Sequence, residues 1–239
     1  MCGIAGIWST GEEKTNSLDL LNFKLNNSLS HRGPNSNGFW KDEKKSFMLC
    51  HTRLSIQELS ALGSQPMLSK SKRYIVSFNG EIYNHYEIRK KLDQQCSFNI
   101  NWKSTSDTET LVEAIDFYGI EKALKIFVGP FALAIWDIKL SNLYLARDRF
   151  GEKPLYWGFT KSAYLNHKAL IFSSELSGIT LFAKNQLEMN YLALASYFQF
   201  SCVQQPLSIY EGIKQVLPGH FVKIKCSQNT FCAAAPTDV

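Results

Sequence analysis

Several signatures are missing from this 239-residue chain, and each absence removes a class of protein. No apolar stretch approaches the ~18–20 residues of a membrane helix. The N-terminus, Met1-Cys2-Gly3-Ile4-Ala5-Gly6-Ile7-Trp8, lacks the charged start of a secretory leader and turns polar by Ser9. No membrane association is therefore expected, and a cytoplasmic location is. The six cysteines include no C-x-x-C pair and the five histidines no H-x-x-x-H, so free thiols are expected, with neither a disulfide framework nor a metal site. Neither G-x-G-x-x-G nor G-x-x-x-x-G-K-[ST] occurs, which leaves nucleotide binding without local support. Internal repeats and low-complexity linkers are also missing. The net charge is a modest +5. Its densest basic runs, Lys41-Asp42-Glu43-Lys44-Lys45 and Lys70-Ser71-Lys72-Arg73, lie between apolar stretches and read as solvated turns, so no nucleic-acid partner is expected.

What is present is a well-stocked core: 45% hydrophobic and 13% aromatic residues argue against disorder. At ~150 residues per domain the length allows one to two domains. Gly3 to Trp8 and Phe47 to His51 read as strands, as does Tyr74 to Phe78. Leu18, Leu21, Leu25 and Leu29 recur at helical spacing, and Thr108 to Phe127 reads as two helical pieces joined at Gly119. Phe131 to Asp137 and Leu143 to Arg147 form a buried hairpin, with further strands at Leu155 to Phe159, Leu170 to Ser173 and Phe221 to Lys225. Short helices are expected at Tyr86 to Leu92, Glu175 to Phe182 and Tyr191 to Phe198. Strands, then helices, then strands suit an α+β fold of packed sheets better than a Rossmann alternation. Beyond Lys225 neither period nor apolar face is clear, and residues 226–239 are expected to be a disordered tail.

Cys2 is the sharpest single feature. Removal of Met1 would put a thiol and a free α-amine on one residue, and an amine with a pKa of ~7.7–8.0 can serve as the local base for a thiol at ~8.5. The amine then replaces the histidine of a Cys–His pair. Acyl transfer also needs an oxyanion hole and substrate-holding groups. Three segments offer them: His51-Thr52-Arg53-Leu54-Ser55-Ile56, Phe78-Asn79-Gly80-Glu81-Ile82-Tyr83-Asn84, and Ser104-Thr105-Ser106-Asp107-Thr108-Glu109. Taken alone, Asn79-Gly80 also reads as a hairpin turn and Asp107 as a helix cap.

Together with His31-Arg32-Gly33-Pro34, Gly63-Ser64-Gln65-Pro66-Met67, Ala146-Arg147-Asp148-Arg149-Phe150-Gly151-Glu152-Lys153-Pro154-Leu155-Tyr156, Phe172-Ser173-Ser174-Glu175 and Leu217-Pro218-Gly219-His220, these motifs follow one order. In that order the sequence resembles the class II glutamine amidotransferases, most closely the N-terminal domain of glutamine-hydrolysing asparagine synthetases, over about residues 2–225. Pro34 after Gly33 and Leu54 after Arg53 separate it from the glucosamine-6-phosphate synthase and purine-pathway branches; Asn35 departs from the family's usual Asp. The resemblance implies a four-layer αββα N-terminal-nucleophile hydrolase sandwich, two antiparallel sheets flanked by helices. It further implies L-glutamine as substrate and Cys2 as nucleophile. Asn79 and Gly80 would hold the oxyanion, Arg53 the substrate α-carboxylate, and Asp107, assisted by Glu81, the α-ammonium.

The family's ATP-using synthetase half, with its Ser-Gly-Gly-x-Asp-Ser loop, has no counterpart here. The chain is thus expected to be a 1–225 glutaminase domain with a non-matching tail, as a truncated or frameshifted product or half of a split enzyme. No cofactor is expected for the glutaminase step; ATP and Mg would enter only with a synthetase domain or subunit that receives the ammonia. A homodimer is compatible with the family. A different acceptor, such as a sugar carboxylate, and a non-catalytic remnant are the alternatives. Outside the site, His31 and His51 are expected to fix loops, Arg147 and Asp148 to form a structural ion pair, and Phe131, Trp136 and Tyr144 to be core.

Overall fold

The computed structural model describes every residue except 12–14, 97–99, 162–163, 166 and 184–186. In chain order its elements begin β1 (Gly3–Ser9), α1 (Thr15–Leu29), β2 (Ser36–Asp42), β3 (Phe47–Arg53), β4 (Met67–Leu68), β5 (Tyr74–Gly80) and α2 (His85–Gln95). They continue with α3 (Asp107–Tyr118), α4 (Ile120–Ile126), β6 (Phe131–Asp137), β7 (Asn142–Arg147), β8 (Tyr156–Lys161) and β9 (Lys168–Ser173). The last are α5 (Leu176–Ala183), α6 (Tyr191–Phe200), β10 (Ile213–Gln215), β11 (His220–Ser227), β12 (Thr230–Ala233) and β13 (Thr237–Asp238).

The strands form a six-stranded sheet, β10-β8-β9-β1-β3-β2, and a seven-stranded one, β12-β11-β7-β6-β5-β4 with β13 beside β11. All their pairings are antiparallel. Side chains alternate across a strand, so each sheet has two faces to cover. The inner faces meet in a layer containing Ile4, Trp8, Phe47, Leu49, Ile75, Trp136, Leu145, Phe172 and Val222. Trp136 stacks on Phe47 at 4.0 Å between ring centres and meets Trp8 edge-on at 4.7 Å. On the outside, α1 and α5 cover the first sheet with Leu18, Leu21, Leu25, Ile179 and Phe182, while α2, α3 and α4 cover the second with Ile88, Leu92, Leu111, Ile115 and Leu124. This is the expected αββα order of layers.

The helical stretch breaks where expected: Gly119, at φ +80°, ends α3 and admits the turn into α4. Two expectations fail. Lys41 and Asp42 belong not to a turn but to the end of β2, an edge strand paired with β3 from Ser36↔Arg53 to Asp42↔Phe47. Its half-exposed side chains, mostly polar, conceal the strand from a hydrophobic pattern. Residues 226–239 are not a disordered tail: β12 folds back on β11 with Ile224↔Ala233 in register, and β13 pairs His220 with Asp238. Phe231 of β12 packs on Trp8 and Phe159 at 5.2 and 5.4 Å, so the hairpin closes one edge of the inner core.

Candidate active site

Cys2 immediately precedes β1, the strand paired on both sides by β3 and β9, so a well-supported backbone sets its position. The Arg32 Nε–H donates to the Cys2 carbonyl at 2.9 Å, and Arg32 Nη1 is itself anchored on Glu175 at 2.7 Å. The thiol lies against Leu54, whose amide donates to Sγ at 3.4 Å. Burial pushes the thiol pKa up, against the lowering effect of Leu54, the N-terminal ammonium, Arg53 and Arg32. Such a thiol needs a base. Met1 is more than half exposed, at 55%.

Across from β1, β5 of the second sheet ends in Asn79 and Gly80, paired with Ala132 and Phe131 of β6. The pair is therefore not a hairpin turn. A Cβ at position 80 would run into the Pro130 carbonyl, which reserves the place for glycine. Asn79 is buried, and its Nδ2 has no hydrogen-bond partner among the described residues. An unsatisfied buried donor costs about 1–3 kcal/mol, so a free amide N–H beside a cavity indicates an acceptor to come.

Arg53 ends β3. Its Nη1–H donates to Ser60 O at 2.8 Å and its Nη2–H to Glu58 O. Each terminal nitrogen carries a second hydrogen, so the planar group can still grip a carboxylate. Asp107 opens α3, but the cap is Ser106, whose side chain accepts from the Thr108 amide. The Asp107 carboxylate instead accepts from the Ile82 amide at 3.0 Å. Burial, opposed by the Ile82 and Thr108 amides and reinforced by Glu81, raises its pKa to about 6. Glu81 accepts from Gln57 Nε2 at 2.7 Å.

Cys2, Arg53, Asn79, Gly80, Glu81 and Asp107 all line one cavity of about 240 Å³, so the structure brings every expected site residue together. Met1, Gln57, Glu58, Gln65, Tyr83 and Lys153 also line it and were not anticipated in a site role. Gln65 is buried and ties β5 to α3: its Oε1 accepts from the Phe78 amide at 2.6 Å and its Nε2 reaches Thr108 Oγ1 at 3.3 Å. His51 is buried, donates through Nε2 to Phe78 O at 3.1 Å, and is held neutral, its pKa lowered to about 4 by burial. His31 pairs with Glu175 at 3.0 Å. His51 thus fixes a backbone segment, as expected, whereas the exposed His31 meets a side chain, the Glu175 carboxylate.

Arg147 and Asp148 correct an expectation: among the described residues no ion pair joins them. The Arg147 guanidinium donates to the carbonyls of Gly151, Lys153 and Val216, and the Asp148 carboxylate accepts from the amides of Phe131, Phe150, Glu152 and Lys153. Phe131, Trp136 and Tyr144 are buried as expected. No group of three or more His, Cys, Asp or Glu among the described residues is placed to hold a metal ion. No helix among them is long and apolar enough to cross a membrane.

A cysteine at the start of the central strand of one sheet, facing a strand-end Asn-Gly in the other, defines an N-terminal-nucleophile sandwich of the class II amidotransferase type. The chain belongs to the glutamine amidotransferase domain family, an enzyme family whose sequence model matches residues 1–233. Among curated relatives, asparagine synthetase [glutamine-hydrolyzing] 1 of Bacillus subtilis is 34% identical over 220 residues, covering 92% of this chain and 33% of that protein. Asparagine synthetase [glutamine-hydrolyzing] 2 of the same organism is 31% identical over 235 residues, covering 96% of this chain and 30% of that protein. The chain thus spans about a third of the length of these relatives. The fold also matches glutamine phosphoribosylpyrophosphate amidotransferase from B. subtilis, with a TM-score of 0.63 at 19% identity over 98% of this chain and 49% of that one.

Proposed function

We propose that this domain hydrolyses L-glutamine to L-glutamate and ammonia through a γ-glutamyl thioester on Cys2. Loss of the exposed Met1 leaves the α-amine on Cys2 itself, where it takes the thiol proton, directly or through a water. The sulfur attacks the side-chain amide carbon of glutamine. Negative charge collects on the amide oxygen, where the Asn79 Nδ2–H and the Gly80 N–H hold it. The intermediate collapses as the ammonium returns the proton to the leaving nitrogen, ammonia departs, and water cleaves the thioester. Arg53 grips the substrate α-carboxylate, while Asp107 and Glu81 grip the α-ammonium. Both ends of a free amino acid are then held, which rejects peptide-bound glutamine.

One observation carries this reading: Asn79, whose buried Nδ2 has no partner among the described residues, lines the same cavity as Cys2. The thiol's raised pKa agrees, because a protonated thiol requires the neighbouring amine as base. The asparagine synthetase relatives support ATP-dependent amidation of aspartate as the use of the ammonia, in a synthetase domain or subunit that would bring ATP and Mg. All six cysteines are free, which suits the reducing cytoplasm proposed for the chain.

A glutamine analogue with a diazoketone in place of the amide tests the chemistry. Intact mass and peptide mapping should show Met1 gone and the analogue on Cys2 alone. Labelling elsewhere, or retention of Met1 in turning-over protein, would contradict the mechanism.

A further inference from the structure

Residues 53–63 run along the cavity from Arg53 to Gly63, and one carboxylate organises their middle. Glu58 Oε1 accepts from the Ser60 amide at 3.0 Å and the Ser60 hydroxyl at 2.6 Å. Its Oε2 accepts from the Thr105 amide at 3.3 Å and the Thr105 hydroxyl at 3.2 Å. The backbone it braces is the backbone that aims Arg53, because the guanidinium donates to the carbonyls of Ser60 and Glu58. The backbone it reaches leads straight into Ser106 and Asp107 at the start of α3. Beside it, Gln57 ties the same stretch to Glu81.

We propose that Glu58 is a positioning residue: a strut between the Arg53 side and the Asp107 side of the cavity that sets their separation and so the affinity for glutamine. The inference rests on the glutaminase reading and extends it to a residue that takes no part in the chemistry. An ionised carboxylate suits the task because it is acceptor-only, and all four groups it meets are donors. They hold its pKa low, at about 2, with Ser60 first and Thr105 after it. Glutamine at this position would keep one acceptor oxygen and turn an NH2 toward the other donors. Alanine would release both ends.

The test compares wild type with Glu58→Ala and Glu58→Gln, alone and on an Arg53→Ala background. Three rates are measured: glutamine turnover, inactivation by the diazoketone analogue, which carries both charged ends, and alkylation of Cys2 by iodoacetamide, which carries neither. Loss of charge-assisted hydrogen bonds predicts a KM about ten- to a hundredfold higher for Glu58→Ala. The change in kcat should stay within about threefold, the pattern of lost uniform binding. Inactivation by the analogue should slow in step with the KM change while iodoacetamide alkylation keeps its rate. On the Arg53→Ala background the second substitution should add little, because the group it aims is gone.

Should Glu58→Ala not fold, Glu58→Gln keeps the volume and must show the same split, smaller in size. An unchanged KM, equal slowing of both Cys2 reactions, or full additivity with Arg53→Ala would overturn the strut while leaving the glutaminase reading intact. A wild type that neither turns over glutamine nor reacts with the analogue would overturn both.

Discussion

The reacting half of the cavity and its recognition half rest on different supports. Cys2 and the Asn79–Gly80 pair sit at ends of β1 and β5, strands with partners on both sides in the two facing sheets. Their relative placement is a property of the sandwich, as rigid as the aromatic layer between the sheets. Arg53 starts from β3, but its guanidinium is held by carbonyls of a loop, and Asp107 stands on the first turn of a helix. Bond making tolerates little misplacement, and the backbone ladders supply that precision. Holding an amino acid by its charged ends tolerates more, and side chain–backbone ties suffice for it.

The comparison breaks if substitutions in the two halves have the same kinetic signature. The largest effect should come from Asn79→Ala, which removes an oxyanion donor. Its kcat should fall about 10²–10³-fold with KM little changed, in steady-state assays of ammonia release. Next comes Arg53→Lys, which keeps the charge and loses the planar fork: KM should rise about tenfold or more, with kcat much less affected. A third effect is pH dependence of binding. Asp107, with a pKa of about 6 in the free protein, must be ionised to hold an ammonium group. Calorimetry on Cys2→Ala protein should therefore give a glutamine Kd that is flat above pH 7. It should weaken as pH falls through about 6, approaching tenfold per unit.

The smallest effect sharpens the contrast from the side of stability. Because the folded-state pKa of Asp107 lies above its ordinary 3.8, its ionisation costs native stability progressively as pH rises from about 3.8 and in full above about 6. Asp107→Asn can keep the bond from the Ile82 amide and lose the charge. Urea denaturation at pH 8 should find it more stable than wild type by about 1–3 kcal/mol, a gain that shrinks as pH falls below 6 and vanishes below 3.8. Its glutamine affinity should fall at the same time. A destabilised variant would show that the carboxylate serves the fold rather than the substrate.

Much of this molecule is legible in its sequence where apolar periodicity and backbone demands coincide. Leu18, Leu21, Leu25 and Leu29 mark α1, and Gly119 marks the break between α3 and α4. Edge elements are not legible. The half-exposed side chains of β2 and the small Cys and Ala residues of β12 earn their strands from neighbours in space, β3 and β11, rather than from their own pattern. Within the site, residues whose side chains are candidates to meet substrate came forward through motif and chemistry. Arg32 and Gln65 stand in motifs but without a role, and Glu58 in none, because they act on main-chain carbonyls and amides whose positions only the fold defines. Arg147 and Asp148 show the opposite error. Neighbours in sequence suggest an ion pair, yet at a strand end successive side chains diverge, and each secures a different part of the following turn.

The central claim is that Cys2, freed of Met1, carries the chemistry. Release of glutamate and ammonia from L-glutamine, measured side by side for wild type with Met1 removed and for Cys2→Ala, tests it most directly. The account predicts turnover by the wild type and none above background for Cys2→Ala, with the variant still binding glutamine. Equal turnover by the two proteins would contradict it.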